Sequence, residues 1–167
     1  MTRFRRAVLI TIVLLACIGC DQITKVAARN HLASSQPMSY LGGVFCLQYT
    51  ENAGGFLSIG SRLPPGARFW MFTILMGSAL AGIVVVILVH GSLSPADVIG
   101  LSLIVAGGVG NLTDRMLNDG AVIDFMNIGI GSFRTGIFNF ADVAMMVGAG
   151  MLLFLRFQRR RRRFIPS

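Results

Sequence analysis

Four stretches of this chain come close to the roughly 20 apolar residues that a helix needs to cross a hydrocarbon core about 30 Å thick. They run from about Ala7 to Ala28, Phe69 to Val89, Ala96 to Leu112 and Phe138 to Phe157, the third being short and rich in glycine. A mean hydropathy of +0.70 and only 13% charged residues exclude an ordinary soluble domain. The chain reads as an integral membrane protein, mainly α, whose residues 1–167 form one membrane domain built on a four-transmembrane-helix bundle. The segments between spans leave no room for a large soluble unit.

Orientation follows from the basic residues. The net charge of +8 comes mainly from Arg3, Arg5 and Arg6 at one end and from Arg156 with Arg159 to Arg163 in the tail 156–167 at the other. Lys and Arg beside spans stay cytoplasmic, so both termini are expected inside, which agrees with an even number of crossings. The loop Gly91 to Pro95 is then cytoplasmic, and the segments Arg29 to Ala67 and Thr113 to Ile137 face outward. That inner loop carries no Lys or Arg, while Arg29, Arg62 and Arg134 fall outside, so the topology rests on the termini. The arginine run abuts a span, which favours an anchor on anionic membrane lipid over a nucleic-acid site.

Ile18-Gly19-Cys20 after an apolar run looks like a cleavable signal ending in a lipid-modified cysteine. Against cleavage, Cys17 stands where such a signal prefers Leu, and the apolar run continues through Ile23, Val26, Ala27 and Ala28. Cys17 and Cys20 also form a CxxC, but the βαβ setting of a thioredoxin-like site is missing; both read as small packing residues. His31 and His90 are isolated, and no metal, nucleotide or organic cofactor has a recognisable site.

Against this apolar background, Asp21 and Lys25, Asn111, Asp114 and Arg115, Asp124, and Asn139 with Asp142 stand out. Ionisable groups in hydrocarbon cost a few kcal/mol and mark function by default. A rise of about 1.5 Å per residue puts Asp21 ~21 Å above an entrance at Ala7, and Asn111 ~22 Å above Ala96. Lys25 lies one turn above Asp21, where i,i+4 spacing permits an ion pair. Asn139 and Asp142 occupy the first outer turn of the last span. Three helices thus bring polar groups to one level near the external surface. Capping explains Asn139 or Asp114 taken alone, but not Asp21, well inside its span.

Asp124 and Asp142 are the best candidates for chemistry. Both have apolar flanks, Val122-Ile123-Asp124-Phe125-Met126 and Phe138-Asn139-Phe140-Ala141-Asp142, which raise a carboxyl pKa, and a neighbouring carboxylate raises one of a pair further. A pair sharing one proton can take a proton from water and give one to a carbonyl oxygen. Spacing alone does not bring the two together, so a catalytic pair, a capping role and a proton relay remain open. A relay, as in a small transporter, needs polar groups at several depths; the inner halves of the spans are nearly bare of charge.

In order, Asp21-Gln22-Ile23-Thr24-Lys25, Glu51-Asn52-Ala53-Gly54-Gly55-Phe56, Gly107-Gly108-Val109-Gly110-Asn111-Leu112-Thr113-Asp114-Arg115, Val122-Ile123-Asp124-Phe125 and Phe138-Asn139-Phe140-Ala141-Asp142 resemble the signature blocks of bacterial lipoprotein signal peptidase, or signal peptidase II. The resemblance implies an aspartic endopeptidase of the bacterial inner membrane that cleaves diacylglyceryl-modified prolipoproteins on the N-terminal side of the lipidated cysteine. It implies a catalytic dyad at Asp124 and Asp142, with Asp114 a rival for the first position. Asp124 is preferred because Arg115 and Asn111 would hold Asp114 charged. The same resemblance implies that Asp21, Lys25, Asn52, Asn111, Asp114, Arg115 and Asn139 bind substrate or support the dyad. It also implies a small extracytoplasmic β-cradle at about 35–59, compatible with the alternation in Val44 to Tyr49, and a periplasmic loop between the third and fourth helices. The partners implied are prolipoprotein and membrane lipid, with no nucleic acid, and the chain is expected to be a monomer. Many members read Asn-x-Gly-Ala-Ala-Phe; here the stretch after Asn52 is one small residue shorter.

Overall fold

The computed structural model of the chain describes residues 1–53 and 64–164. Four helices are long and apolar enough to cross a membrane: α1 (Arg3–Leu32), α2 (Pro65–Val89), α3 (Pro95–Leu117) and α4 (Phe140–Phe164). Each runs past the apolar stretch that marks it in the sequence or begins at a slightly different residue. Helix α4 continues seven residues beyond Phe157 into the arginine tail, and α3 continues beyond Leu112 for five residues. Asn111 therefore lies well inside α3, and Asp114 and Arg115 belong to its last turn rather than to the loop that follows. The helix stops at the Asn118–Gly120 turn, where Asp119 and Gly120 adopt positive φ (49° and 89°) and the Gly120 N–H closes on the Arg115 carbonyl at 2.9 Å.

Helix α3 is the centre of the bundle and packs against α1, α2 and α4. Its glycines permit close approach in different directions. A Cβ on Gly107 would sit 2.2 Å from the Ala141 carbonyl oxygen, and one on Gly110 would sit 2.5 Å from Asp21 Oδ2. Of the two uses that these glycines suggest, helix packing or substrate access, the structure uses them for packing. The inner apolar core gathers Ile87, Val98 and Val105 with Leu9, Ile10 and Leu14 of α1.

Polar contacts tie the helix ends at the end of the bundle that holds both termini. Arg6, 7% exposed, donates to the carbonyls of Ile87 at 2.9 Å and His90 at 3.0 Å, closing the C-terminus of α2. Ser94 and Asp97 form a capping box at the start of α3, and Arg159 of α4 reaches Asp97 at 2.6 Å. Cys17 is half-buried and Cys20 exposed, both free thiols on a helix that continues unbroken to Leu32.

At the other end sits an antiparallel sheet of four strands, ordered β1 (Met38–Tyr40), β2 (Phe45–Asn52), β3 (Val122–Ile130) and β4 (Phe133–Arg134). The sequence suggests strands between the first two spans, and β1 and β2 lie there; residues 54–59 of that expected cradle, with Gly54, Gly55 and Phe56, fall outside the described residues. The connection between α3 and α4, expected as a loop, supplies the longest strand. One face of the sheet covers the last turns of α1: Ala28 and Leu32 pack with Phe125, Met126, Tyr49 and Phe138. Strand β2 carries a register shift between Leu47 and Thr50.

Candidate active site

The site is assembled where β3 crosses the start of α4. Residues Val122 to Asn127 are buried without alternation, because one face of β3 meets helices and β2 covers its edge. Thr50 pairs with Asp124 and Asn52 with Val122, so Asn52 reaches Asp124 from the neighbouring strand: its Nδ2 donates to Oδ2 at 3.0 Å. Asp124 is 3% exposed.

Asn139 caps α4. Its Oδ1 accepts from the Asp142 N–H at 3.0 Å, and the Asp142 Oδ2 accepts from the Asn139 N–H at 3.1 Å, a reciprocal capping box. The capping role weighed from sequence is therefore real for both residues. It does not exhaust them. Asn139 Nδ2 also donates to Asp124 Oδ1 at 2.7 Å, to the Ile123 carbonyl and to Asn111 Oδ1, and it is fully buried. Asn111 in turn donates to Asp142 Oδ1 at 2.9 Å. One asparagine thus grips both carboxylates, and a second holds Asp142 from α3. Asp142 remains half-buried, within reach of water.

Below them lies a charge cluster. Lys25 Nζ, on a residue 1% exposed, sits 2.8 Å from Asp21, 2.9 Å from Asp114 and 3.0 Å from Asn111 Oδ1. The i,i+4 ion pair forms as the spacing allows. Asp21 Oδ1 also accepts from the Ala141 N–H at 2.9 Å, placing a second carboxylate at the N-terminus of α4, where the helix dipole favours negative charge. Asp114 accepts from Lys25, Gln22 and the Ile123 N–H. The sequence reading gave Asp114 the wrong partners. Its cation is Lys25, because on a helix the adjacent Arg115 projects elsewhere: that guanidinium donates to the Asn111 carbonyl at 3.3 Å and stacks on Phe72.

Burial pushes the Asp124 carboxyl up to about 6, and the charge of Asp142 adds to the rise. The amides of Asn52 and Asn139 and the charge of Lys25 pull the other way and limit it. All nine residues singled out in the sequence meet in this region, Arg115 at its margin. Gln22 was missed. It donates to both Asp21 and Asp114 at 3.1 Å, and its signal was an uncharged polar residue inside a span, between two residues already under suspicion.

A family model described as signal peptidase II matches residues 13–158. The chain belongs to the signal peptidase II family. It is 35% identical over 153 residues to a lipoprotein signal peptidase of Leifsonia xyli, covering 89% of this chain and 66% of that protein. It is 32% identical over 152 residues to one from Halalkalibacterium halodurans, covering 91% and 93%. A bacterial membrane enzyme solved by the in meso method at 2.3 Å resolution has the same fold: TM-score 0.80 at 21% identity, covering 95% of this chain and 93% of that one. Membership of signal peptidase II does not favour a transporter. Asp97, the acidic residue at the far end of the bundle, is held by Arg159 and offers a relay no inner half.

Proposed function

We propose that the chain removes the signal peptide of diacylglyceryl-modified prolipoproteins by aspartic catalysis, with Asp124 and Asp142 as the dyad. The observation that carries this reading is Asn139, whose side-chain amide and backbone N–H bond one carboxylate each. In the working state the pair holds one proton. The ionised member takes a proton from a water molecule whose oxygen attacks the scissile carbonyl carbon, while the protonated member gives its proton to the carbonyl oxygen. Collapse of the tetrahedral intermediate breaks the C–N bond, returns a proton to the departing nitrogen, and leaves a signal peptide carboxylate and a free amine on the lipidated cysteine. The Lys25 cluster and Asn111 keep Asp142 in place, and Asp114 belongs to that cluster rather than to the dyad.

The location suits a substrate held in the bilayer by acyl chains and a signal helix. Arg3, Arg5, Arg6 and the arginine tail support an inner-membrane orientation with both termini cytoplasmic, which puts the dyad near the extracytoplasmic face. The arginine tail is suited to anionic lipid.

The test is cleavage by the purified chain in detergent, using a diacylglyceryl prolipoprotein and the same polypeptide without lipid, with the released peptide weighed by mass spectrometry. Cleavage at the bond before the lipidated cysteine is expected, and only with lipid present. Tight binding without cleavage would replace this reading with a lipoprotein assembly factor.

The pH profile offers a second check. A carboxyl raised to about 6 makes Asp124 the resting holder of the shared proton. That proton is lost as pH rises, so kcat/KM, which reports the free enzyme, is expected to fall above about pH 6. The corresponding limb in kcat should lie higher, since bound substrate excludes more water. A kcat/KM that only rises through this range would move the proton to Asp142.

A further inference from the structure

The register shift in β2 sits immediately before the residues that face Asp124. Thr50, Glu51 and Asn52 pair with Asp124, Ile123 and Val122, whereas the residues before the shift pair one position nearer the start of β3 than that register, continued, would put them, so β2 carries one extra residue there. Side chains alternate along a strand, so a slip of one residue across this irregularity would turn Asn52 away from Asp124 and present Glu51 instead. Something must hold the register. Tyr49 packs its ring among the apolar residues beneath the sheet, and its hydroxyl donates to Glu51 at 2.7 Å. Tyr49 and Glu51 share one face of β2, opposite the face of Thr50 and Asn52. Arg29, in the last turn of α1, lies beside the Tyr49 hydroxyl and Glu51, whose charge favours its own, and donates to Asn118 Oδ1 at 2.5 Å, beside the end of α3. This clasp spans α1, β2 and α3 on the outer surface and touches neither carboxylate of the site.

We propose that Arg29, Tyr49 and Glu51 are positioning residues that lock the register of β2 and thereby aim the Asn52 amide at Asp124. The inference rests on the dyad reading above. Its consequence is electrostatic as well as geometric. The Asn52 bond favours the ionised form of Asp124, so its loss raises the Asp124 pKa further. The other charged groups acting there, Lys25 from α1 and Asp142 from α4, with Arg115 from α3, do not belong to the clasp and stay in place.

The experiment uses the full chain in detergent with diacylglyceryl prolipoprotein. Tyr49→Phe keeps the ring and removes the hydroxyl; Glu51→Gln keeps an acceptor for it. Tyr49→Phe is expected to lower kcat roughly tenfold, and in an Asn52→Ala background to cause no further loss, because residues acting through one contact are not additive. Its falling pH limb should move to higher pH, with KM little changed, while Glu51→Gln stays close to wild type. Additive losses, or an unmoved kcat and limb in Tyr49→Phe, would overturn the lock.

Hydrogen exchange at the amides of Thr50 to Asn52 provides a readout independent of activity. Faster exchange confined to these residues in Tyr49→Phe, or in Arg29→Gln if the first variant fails to fold, supports the lock; unchanged exchange removes it. If Asp124→Asn still cleaves, the dyad reading falls by itself, and the exchange measurement still judges the clasp.

Discussion

Asp124→Asn and Asp142→Asn should each lower kcat by about 10³- to 10⁴-fold while leaving substrate binding intact, the range expected when a positioned acid or base is removed. The amide cannot take a proton from water or give one to a carbonyl oxygen, yet nearly preserves shape. The two carboxylates work as a unit, so the double variant should be little worse than either single one. The replacements are not equal in stability. Both oxygens of Asp124 accept from amide donors, Asn52 on one side and Asn139 on the other. An asparagine there turns an NH₂ toward a donor, and one buried group goes unsatisfied at a cost of about 1–3 kcal/mol. Asp142 is half-buried and can turn its new donor toward water. Asp114→Asn is the control: its partners are structural, so stability should suffer more than chemistry. Kinetics and retention of uncleaved substrate, measured on all three variants, decide the assignment, and normal processing by Asp124→Asn or Asp142→Asn would strike that residue from the dyad.

The spans could be read from the sequence because transfer to lipid depends on local composition, and the Asp21–Lys25 pair because helical spacing is local too. Partners across elements could not. Lys25 answers Asp114 from another helix; helical rise puts the two near one level, but nothing in the order of residues says that α1 and α3 are neighbours. A glycine does allow it: Gly110 has no Cβ, and Asp21 Oδ2 occupies the space where one would stand. Strand β3 was hidden for a similar reason. Its hydrophobic run is covered by β2, α1 and α3, so the alternation that betrays a half-exposed strand is absent, and its pairing with β2 joins residues 70 to 83 positions apart. Arg6 shows the opposite error. As one of several terminal arginines it reads as surface charge, yet its guanidinium is buried against the carbonyls that end α2, doing for that helix what Asn139 and Asp142 do for α4.

Lys25→Met should be the most destabilising single change in the bundle. The methionine roughly fills the space of the aliphatic stem but removes the one cation between Asp21 and Asp114, both almost wholly buried. Breaking a buried pair by removing one partner costs about 3–5 kcal/mol, because the remaining charge keeps its desolvation penalty without compensation. Here two carboxylates lose the same partner, and Asn111 Oδ1 loses a donor. A fall of about 10 °C in the unfolding midpoint is expected for a chain of this size, measurable as earlier thiol labelling of the half-buried Cys17 and Cys46. Cleavage should fall as well, since the Asn111 amide that holds Asp142 is steadied from the other side by Lys25. Adding Asp114→Asn or Asp21→Asn to Lys25→Met removes one of the stranded charges and should recover part of the midpoint, each short of full recovery because the carboxylate also accepts from a backbone N–H, Ile123 for Asp114 and Ala141 for Asp21. A midpoint indifferent to Lys25→Met would mean that the cluster does not hold α1, α3 and α4 together, and the geometry of Asp142 would then need a different cause.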